Sequence, residues 1–384
     1  MLADTKINEN ILIPNNWLEA YPIGYMIEYT SKCNLRCKYC TKSNPGDDLI
    51  PGRDMDMTID NVENIIKFLE NQKLNEILLA GTGESTFHPK WTEDFPKIIN
   101  AAKKINNNCQ IKLNTNLALD YKDVHFEILS QIDVIIISID TSSRELTKAV
   151  RSKSDLGLII HNILKLKSYC ELKSMKIPAL VINITLYQKA VSTLPELINI
   201  LSDLPISHVS ISDCFETTGA KKYGIEVIND SNISLFTENI NDIRKSIDLA
   251  KSKAKFTISI QPYLVDRLNK LISKITNKNE SEEAQELIKD QKSVRQTKIC
   301  LQPWTRFTVA ANGDLYPCCV TDMPPVGKVT NNCNDQTHGI NGEKFKAFRS
   351  ALLRGEVPAV CKNCTNAPDG SVEQLGQALS RLIA

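Results

Sequence analysis

The chain has 384 residues, with 46 basic and 45 acidic side chains and a net charge of +1. That balance leaves no electrostatic footprint for nucleic acid or for an anionic membrane surface. The hydrophobic share, 42%, suits a globular protein with a sizeable core, and no apolar run approaches the length that spans a bilayer. The opening MLADTKINEN is polar and lacks the apolar stretch of a secretory signal, so the expectation is a soluble, cytoplasmic protein. In a reducing compartment, 12 cysteines point to metal or redox work rather than disulfides.

Residues 1–23 are polar with scattered apolar anchors and read as an N-terminal extension. GYMIEYT then reads as a strand, and the loop after it, within YTSKCNLRCKYCTKS (29–43), carries Cys33, Cys37 and Cys40. Three thiolates this close can hold three corners of one metal centre. A structural zinc site would want four closed ligands, whereas a four-iron cluster held by three cysteines keeps one iron open to a non-protein ligand. After a turn-rich stretch, Val62, Ile65, Ile66 and Leu69 recur at helical spacing behind a capping Thr58. EILLAGTGES (76–85) is a strand running into a glycine-rich turn, where backbone can come close to a ligand or simply turn.

QIKLNTN (110–116) is the next strand. DVIIISID (133–140) is a near-continuous apolar run of the kind buried on both faces. Ser138 and Asp140 stand at its end, and Arg151 follows. A helix presents Leu156, Ile159, Ile160 and Ile163 on one face, with Cys170 as a small core residue. ALVINIT (179–185) and HVSISDC (208–214) are further strands, each followed by a helical pattern, the second carrying Phe236, Ile240, Ile243 and Ile247. Six strand–helix units need parallel crossovers. They make an open six-unit β/α barrel, with its site on the loops that follow the strands. KFTISI (255–260) alternates like a strand, and a helical face at 264–275 leads into a polar connector that ends near residue 299.

A second cysteine set follows: Cys300, Cys318, Cys319, Cys333, Cys361 and Cys364. FTVAANGDLYPC reads as a hairpin around Asn312-Gly313, which returns Cys318 toward Cys300. Cys361-x-x-Cys364 comes after a helix. By spacing, the four cysteines of these pairs suit either zinc or an iron–sulfur cluster.

The first cysteine loop, with Tyr39 before its last cysteine, resembles the signature of radical S-adenosylmethionine (SAM) enzymes. The fold that resemblance implies is α/β, a partial (β/α)6 TIM barrel with a small C-terminal α+β iron–sulfur domain. In that family the open iron binds SAM, which is reductively cleaved to a 5′-deoxyadenosyl radical that takes a hydrogen atom from substrate. Gly83 and Glu84 match the family's Gly-Gly-Glu-Pro turn, while Thr82 and Ser85 depart from it. Asn116 resembles the family's Thr-Asn-Gly, with Leu117 in place of the glycine. Ser138, Asp140 and Arg151 resemble positions that bind the ribose and carboxylate of SAM. His88 is expected to pack the loop.

From Cys300 through Gly313 to Cys318, and again at Cys361 and Cys364, the chain is similar to the SPASM/twitch extension of the same superfamily, and in the spacing of Cys300 and Cys318 to radical SAM aminocyclitol dehydrogenases. The resemblance implies two 4Fe-4S clusters. One is on Cys33, Cys37 and Cys40; the other, auxiliary cluster is on Cys300, Cys318, Cys361 and Cys364. It also implies a reducing partner such as flavodoxin or ferredoxin. The domains expected are 1–23, a barrel at 24–255, a connector at 256–299 and the auxiliary domain at 300–384.

An auxiliary cluster able to take an electron favours oxidation of a polar small molecule. The alternatives are epimerisation, with Cys214 or Cys319 returning a hydrogen atom, and modification of a ribosomal peptide. Glu28, Tyr187 and Asp213 stand near strand ends, where a base is needed. The non-enzyme rival is a zinc-binding scaffold.

Overall fold

The computed structural model describes residues 15–40, 55–214, 240–261, 264–265, 295–319, 323–329, 339–362, 364 and 367–383. Cys333, Phe236 and most of the expected 264–275 helix and connector lie outside them.

The architecture is α/β around one ten-stranded sheet. Strands β1 (Gly24–Ile27), β2 (Glu76–Leu79), β3 (Gln110–Thr115), β4 (Val134–Ser138), β5 (Ala179–Leu186) and β6 (Ile206–Asp213) lie side by side in sequence order, all parallel. This is the expected partial barrel. Its register aligns Ile27, Leu79, Leu113, Ile135 and Leu180 in one row, and all five are fully buried. Each such side chain contributes roughly 1.5–3 kcal/mol of burial.

Two features go beyond the expectation. First, β4 and β5 alternate fully buried with half-buried residues. One face of the sheet is sealed and the other only half covered, so the apolar run at 133–140 does not mark burial on both faces. Second, the sheet runs past residue 255: β7 (Thr257–Ile260) pairs parallel with β6. At the opposite edge β8 (Arg306–Val309) pairs parallel with β1. β9 (Asp314–Tyr316) and β10 (Gly327–Lys328) then continue it antiparallel. The C-terminal region thus extends the barrel sheet itself.

Local rules explain the surrounding helices. α1 (Ile59–Glu70) starts where Thr58 Oγ1 accepts the Asn61 N–H, and it buries Val62, Ile65, Phe68 and Leu69. α2 (Trp91–Ile105) and α3 (Asp123–Leu129) follow β2 and β3. α4 (Arg144–Val150) is capped by Ser143, and α5 (Leu156–Leu172) by Asp155. α5 buries Ile159, Ile163 and Cys170, as their spacing predicts. α6 (Leu194–Leu201) and α7 (Ile240–Lys253) cover the later strands. The β8–β9 hairpin turns at Gly313, whose φ of +83° favours glycine.

Near the C-terminus, α8 (Glu343–Leu353) and α9 (Val372–Ile383) join Trp304 in a second core, which also receives Trp17, Leu18 and Tyr21 from the N-terminal extension. Arg349 is the polar centre of this region and is fully buried. Its guanidinium donates to Pro303 O (2.8 Å), Leu18 O (2.7 Å), Ile340 O (2.7 Å) and Asn341 Oδ1 (3.2 Å). Arg349→Met would leave three carbonyls, two of them in fully buried bonds, without that donor. At about 1–3 kcal/mol for each buried unsatisfied group, we expect a loss on the order of 4 kcal/mol in equilibrium denaturation. A change below about 1 kcal/mol would refute the role of Arg349 as a clasp.

Candidate active site

The cysteine loop is held in place by backbone bonds. Arg36–Cys37 forms a two-residue antiparallel ladder with Arg151–Ser152, placing Cys37 opposite Arg151. Lys38 N–H donates to Val150 O, and Cys40 N–H to Cys37 O. The thiols lie close enough for their charges to act on one another. Removal from water pushes the Cys37 thiol up to about 12, against the pull of the Arg151 charge. Cys33 Sγ accepts the Leu35 N–H at 3.3 Å and faces Asn116 Nδ2 at 3.8 Å.

The glycine-rich turn after β2 docks onto this loop. A Cβ on Gly83 would run into the Thr30 and Lys32 carbonyls, and one on Gly81 would run into the Glu28 side chain. The close approach that these glycines permit is to the chain's own cysteine loop. Glu28 is buried at the end of β1, and its Oε2 accepts both the Thr82 N–H (2.6 Å) and the Thr82 hydroxyl (2.8 Å). Glu84 N–H donates to Lys32 O. The Glu84 carboxylate is buried and taken up within the protein, by Thr86 Oγ1 (2.7 Å), Thr115 Oγ1 (2.8 Å) and the Asn116 N–H (2.7 Å). Asn116 Nδ2 in turn donates to Asn34 Oδ1 at 2.8 Å. Glu84 and Asn116 therefore brace the cysteine loop. His88 is buried, accepts the Lys90 N–H through Nδ1 and meets Tyr29 edge-on, which is a packing role.

Across the mouth, Asp140 is buried beside Arg151 and Tyr39. The Tyr39 hydroxyl donates to Asp140 Oδ2 at 2.6 Å, and one terminal Arg151 nitrogen reaches Tyr39 OH at 3.0 Å and Asp140 Oδ2 at 3.3 Å. Asp140 Oδ1 accepts the Thr185 N–H. Burial works against the Arg151 charge, but the Asp140 carboxylate beside it favours the protonated guanidinium. Ser138 ends β4, half-buried, opposite Asn183. Cys214 follows β6, buried, with its N–H on Leu186 O. Tyr187, which follows β5, is buried and near enough to feel Asp140, Arg151 and Cys214. The backbone of Asp213 ends β6 opposite Leu186.

Three buried side-chain atoms among the described residues find no hydrogen-bond partner: Arg151 Nε, Ser154 Oγ and Tyr187 OH. Orphaned buried donors are rare and want an explanation. Two of them, Arg151 Nε and Tyr187 OH, belong to residues gathered around Asp140, beside the cysteine loop. They suit a ligand rich in acceptors, such as the carboxylate and ribose of SAM.

In the second thiol set, Cys300, Cys319, Cys361 and Cys364 lie near one another. Burial pushes Cys300 up to about 12, and the thiols of Cys364, Cys361 and Cys319 add to the shift. Burial likewise raises Cys361 to about 11. Cys318 follows β9, its carbonyl accepting from Thr308 Oγ1. Among the described residues no three His, Cys, Asp or Glu side chains are grouped to hold a single metal ion. A four-iron cluster takes one thiolate per iron, so its ligands need not converge on one point, and both thiol sets fit that donor chemistry.

Residues 27–185 match the radical SAM superfamily, and residues 300–365 match the SPASM family, described as an iron–sulfur cluster-binding domain. Residues 27–185 thus form a radical SAM domain and residues 300–365 a SPASM domain. This sets aside the zinc-scaffold reading.

Among curated relatives, the tungsten-containing aldehyde ferredoxin oxidoreductase cofactor-modifying protein of Pyrococcus furiosus is 25% identical over 57% of this radical SAM chain and 58% of its own. GTP 3′,8-cyclase of Chlorobaculum tepidum is 27% identical over 31% of this chain and 33% of its own. The chain thus spans less than two thirds of either relative's length. Among solved structures, Streptococcus suis SuiB superposes with a TM-score of 0.58 at 15% identity, covering 86% of this chain and 68% of that one. The structure of anSMEcpe with bound AdoMet superposes at 0.54 and 18% identity, covering 94% and 98%. No helix among the described residues is long and apolar enough to cross a membrane.

The sequence reading missed Glu28 as the clamp on Thr82, the Cys37–Arg151 ladder, and Lys298, which is buried beside the second thiol set. Motif spacing carries none of these. The alternation of Cys318 and Cys319 after a strand was the available hint that Cys319 also approaches Cys300.

Proposed function

We propose that this chain oxidises a polar small molecule by two electrons, as a radical SAM oxidoreductase of the dehydrogenase type. Cys33, Cys37 and Cys40 would hold a four-iron cluster that, with SAM, supplies a radical able to remove a substrate hydrogen atom. Arg151, Tyr39 and Ser138 would orient SAM, with Asp140 fixing the first two. Cys300, Cys318, Cys361 and Cys364 would hold a second four-iron cluster, which supplies an electron acceptor in a twitch-like arrangement. The buried Tyr187 phenol, whose ionisation burial disfavours, would keep its proton and could donate a hydrogen bond to substrate. Electrons would come from a small reducing protein such as flavodoxin or ferredoxin, and the cytoplasm suits such a partner.

The observation that carries this reading is the second thiol group, in which Cys300 feels both Cys361 and Cys364. Such an acceptor is what separates oxidation from a redox-neutral outcome. The curated relatives carry names that refer to a cofactor and to GTP, which favours a small molecule. A second reading, a peptide substrate, is favoured by fold neighbours crystallised with peptides: SuiB with its precursor peptide, and anSMEcpe with the Cp18Cys peptide.

The test is iron and sulfide content after anaerobic reconstitution, in wild type and in a Cys361→Ala/Cys364→Ala variant. We expect about eight irons falling to about four, with 5′-deoxyadenosine still formed from SAM. About four irons in both proteins would remove the acceptor and with it the oxidation reading.

A further inference from the structure

Lys298 is a charged residue buried just ahead of the SPASM domain, 5% exposed. It lies on Gln296–Lys298, which pairs antiparallel with Asp369–Ser371. The position touches the second thiol set from two sides. Its carbonyl accepts the Cys300 N–H at 2.9 Å. Its ammonium donates to the Cys364 carbonyl at 3.1 Å. Its only ionic partner among the described residues is Asp369 Oδ1, at 2.8 Å, on a side chain that is 81% exposed. Thr297, next to it, is anchored by donating to Leu352 O. A lysine needed merely to pin a carbonyl would be an expensive choice, since burying a cation costs several kcal/mol unless something nearby is negative. A solvated aspartate is screened by water and repays that cost poorly.

We propose that Lys298 is the residue that sets the reduction potential of the auxiliary cluster held by Cys300, Cys318, Cys361 and Cys364. This rests on the reading that those cysteines hold an iron–sulfur cluster. The physics is that of a fixed positive charge beside a redox centre. Taking up one electron makes the cluster one unit more negative, and a buried ammonium favours that state. Iron–sulfur potentials respond to net charge, hydrogen bonding and exposure around the cluster, and low local polarity lengthens the reach of the charge. A raised potential would suit such a cluster to take up the one electron that a substrate, having lost a hydrogen atom, would give up together with a proton.

Lys298 is a positioning residue, so its test reads a potential. Anaerobically reconstituted full-length protein is titrated and followed by electron paramagnetic resonance. SAM perturbs the signal of the cluster with the open iron, so the unperturbed signal belongs to the auxiliary cluster. Lys298→Gln is expected to keep its iron and shift that signal's midpoint to a more negative potential. Lys298→Arg should stay near wild type. Asp369→Asn, which unmasks the ammonium, should shift it the other way and by less. An unshifted midpoint in iron-replete Lys298→Gln overturns the proposal. If Lys298→Gln loses iron, Asp369→Asn decides: an unchanged midpoint overturns it and an upward shift supports it. Absence of any second, SAM-insensitive signal in wild type would overturn the underlying cluster assignment and is recognisable as that different failure.

Discussion

Replacing Cys33, Cys37 and Cys40 together by alanine is expected to remove about four irons and to reduce 5′-deoxyadenosine formation to background. The fold should survive, because the loop is tied by main-chain bonds that alanine leaves intact. Cys37 keeps its place opposite Arg151, Lys38 N–H keeps Val150 O, and Cys40 N–H keeps Cys37 O. The triple variant should therefore retain the wild-type far-ultraviolet circular dichroism spectrum and the iron of the C-terminal set, while losing all SAM cleavage. Cleavage that persisted with these thiols gone would refute the assignment of Cys33, Cys37 and Cys40.

The second large effect is expected at Glu84. Its carboxylate takes the Thr86 hydroxyl, the Thr115 hydroxyl and the Asn116 N–H inside the protein. Burial pushes the Glu84 carboxyl upward, opposed by those hydrogen bonds. Glu84→Ala leaves buried donors unmet on two strands' loops at once, and each unsatisfied group costs about 1–3 kcal/mol. We expect a loss on the order of 4 kcal/mol in denaturant unfolding and, with Asn116 released from its brace, weaker iron retention at the first site. Glu84→Gln keeps one acceptor oxygen and should fall between the two. Wild-type stability and iron content in Glu84→Ala would show that the carboxylate braces nothing.

Much of the barrel was legible because its signals are local. Thr58 caps α1 as its spacing says, Ile159 and Ile163 face inward together, and Asn312-Gly313 turns the hairpin. The cysteines were legible because three thiols on one loop have few other uses. What escaped was set by pairing across long stretches of chain. Arg36–Cys37 and Arg151–Ser152 pair over two residues each, too short for any period to show. Glu84 looked like a ligand contact because its motif is one, yet its oxygens are taken by Thr115 and Asn116, which only the fold brings near. Lys298 sits in a polar stretch that read as connector.

The pairing of β8 with β1 has a consequence for how the chain is made. β1 gains β2 on one side soon after it is made, but its other edge is completed only once Arg306–Val309 has been added much later in the chain. Until then the strand that launches the cysteine loop carries an open row of hydrogen-bonding groups, the kind of edge that invites pairing with another chain. Non-local pairings of this sort are also slow to form. A chain interrupted before residue 306 would lack Cys318, Cys361 and Cys364 and would also present a bare edge beside the first cysteine loop. Chaperoning of the nascent protein should therefore matter most at that edge.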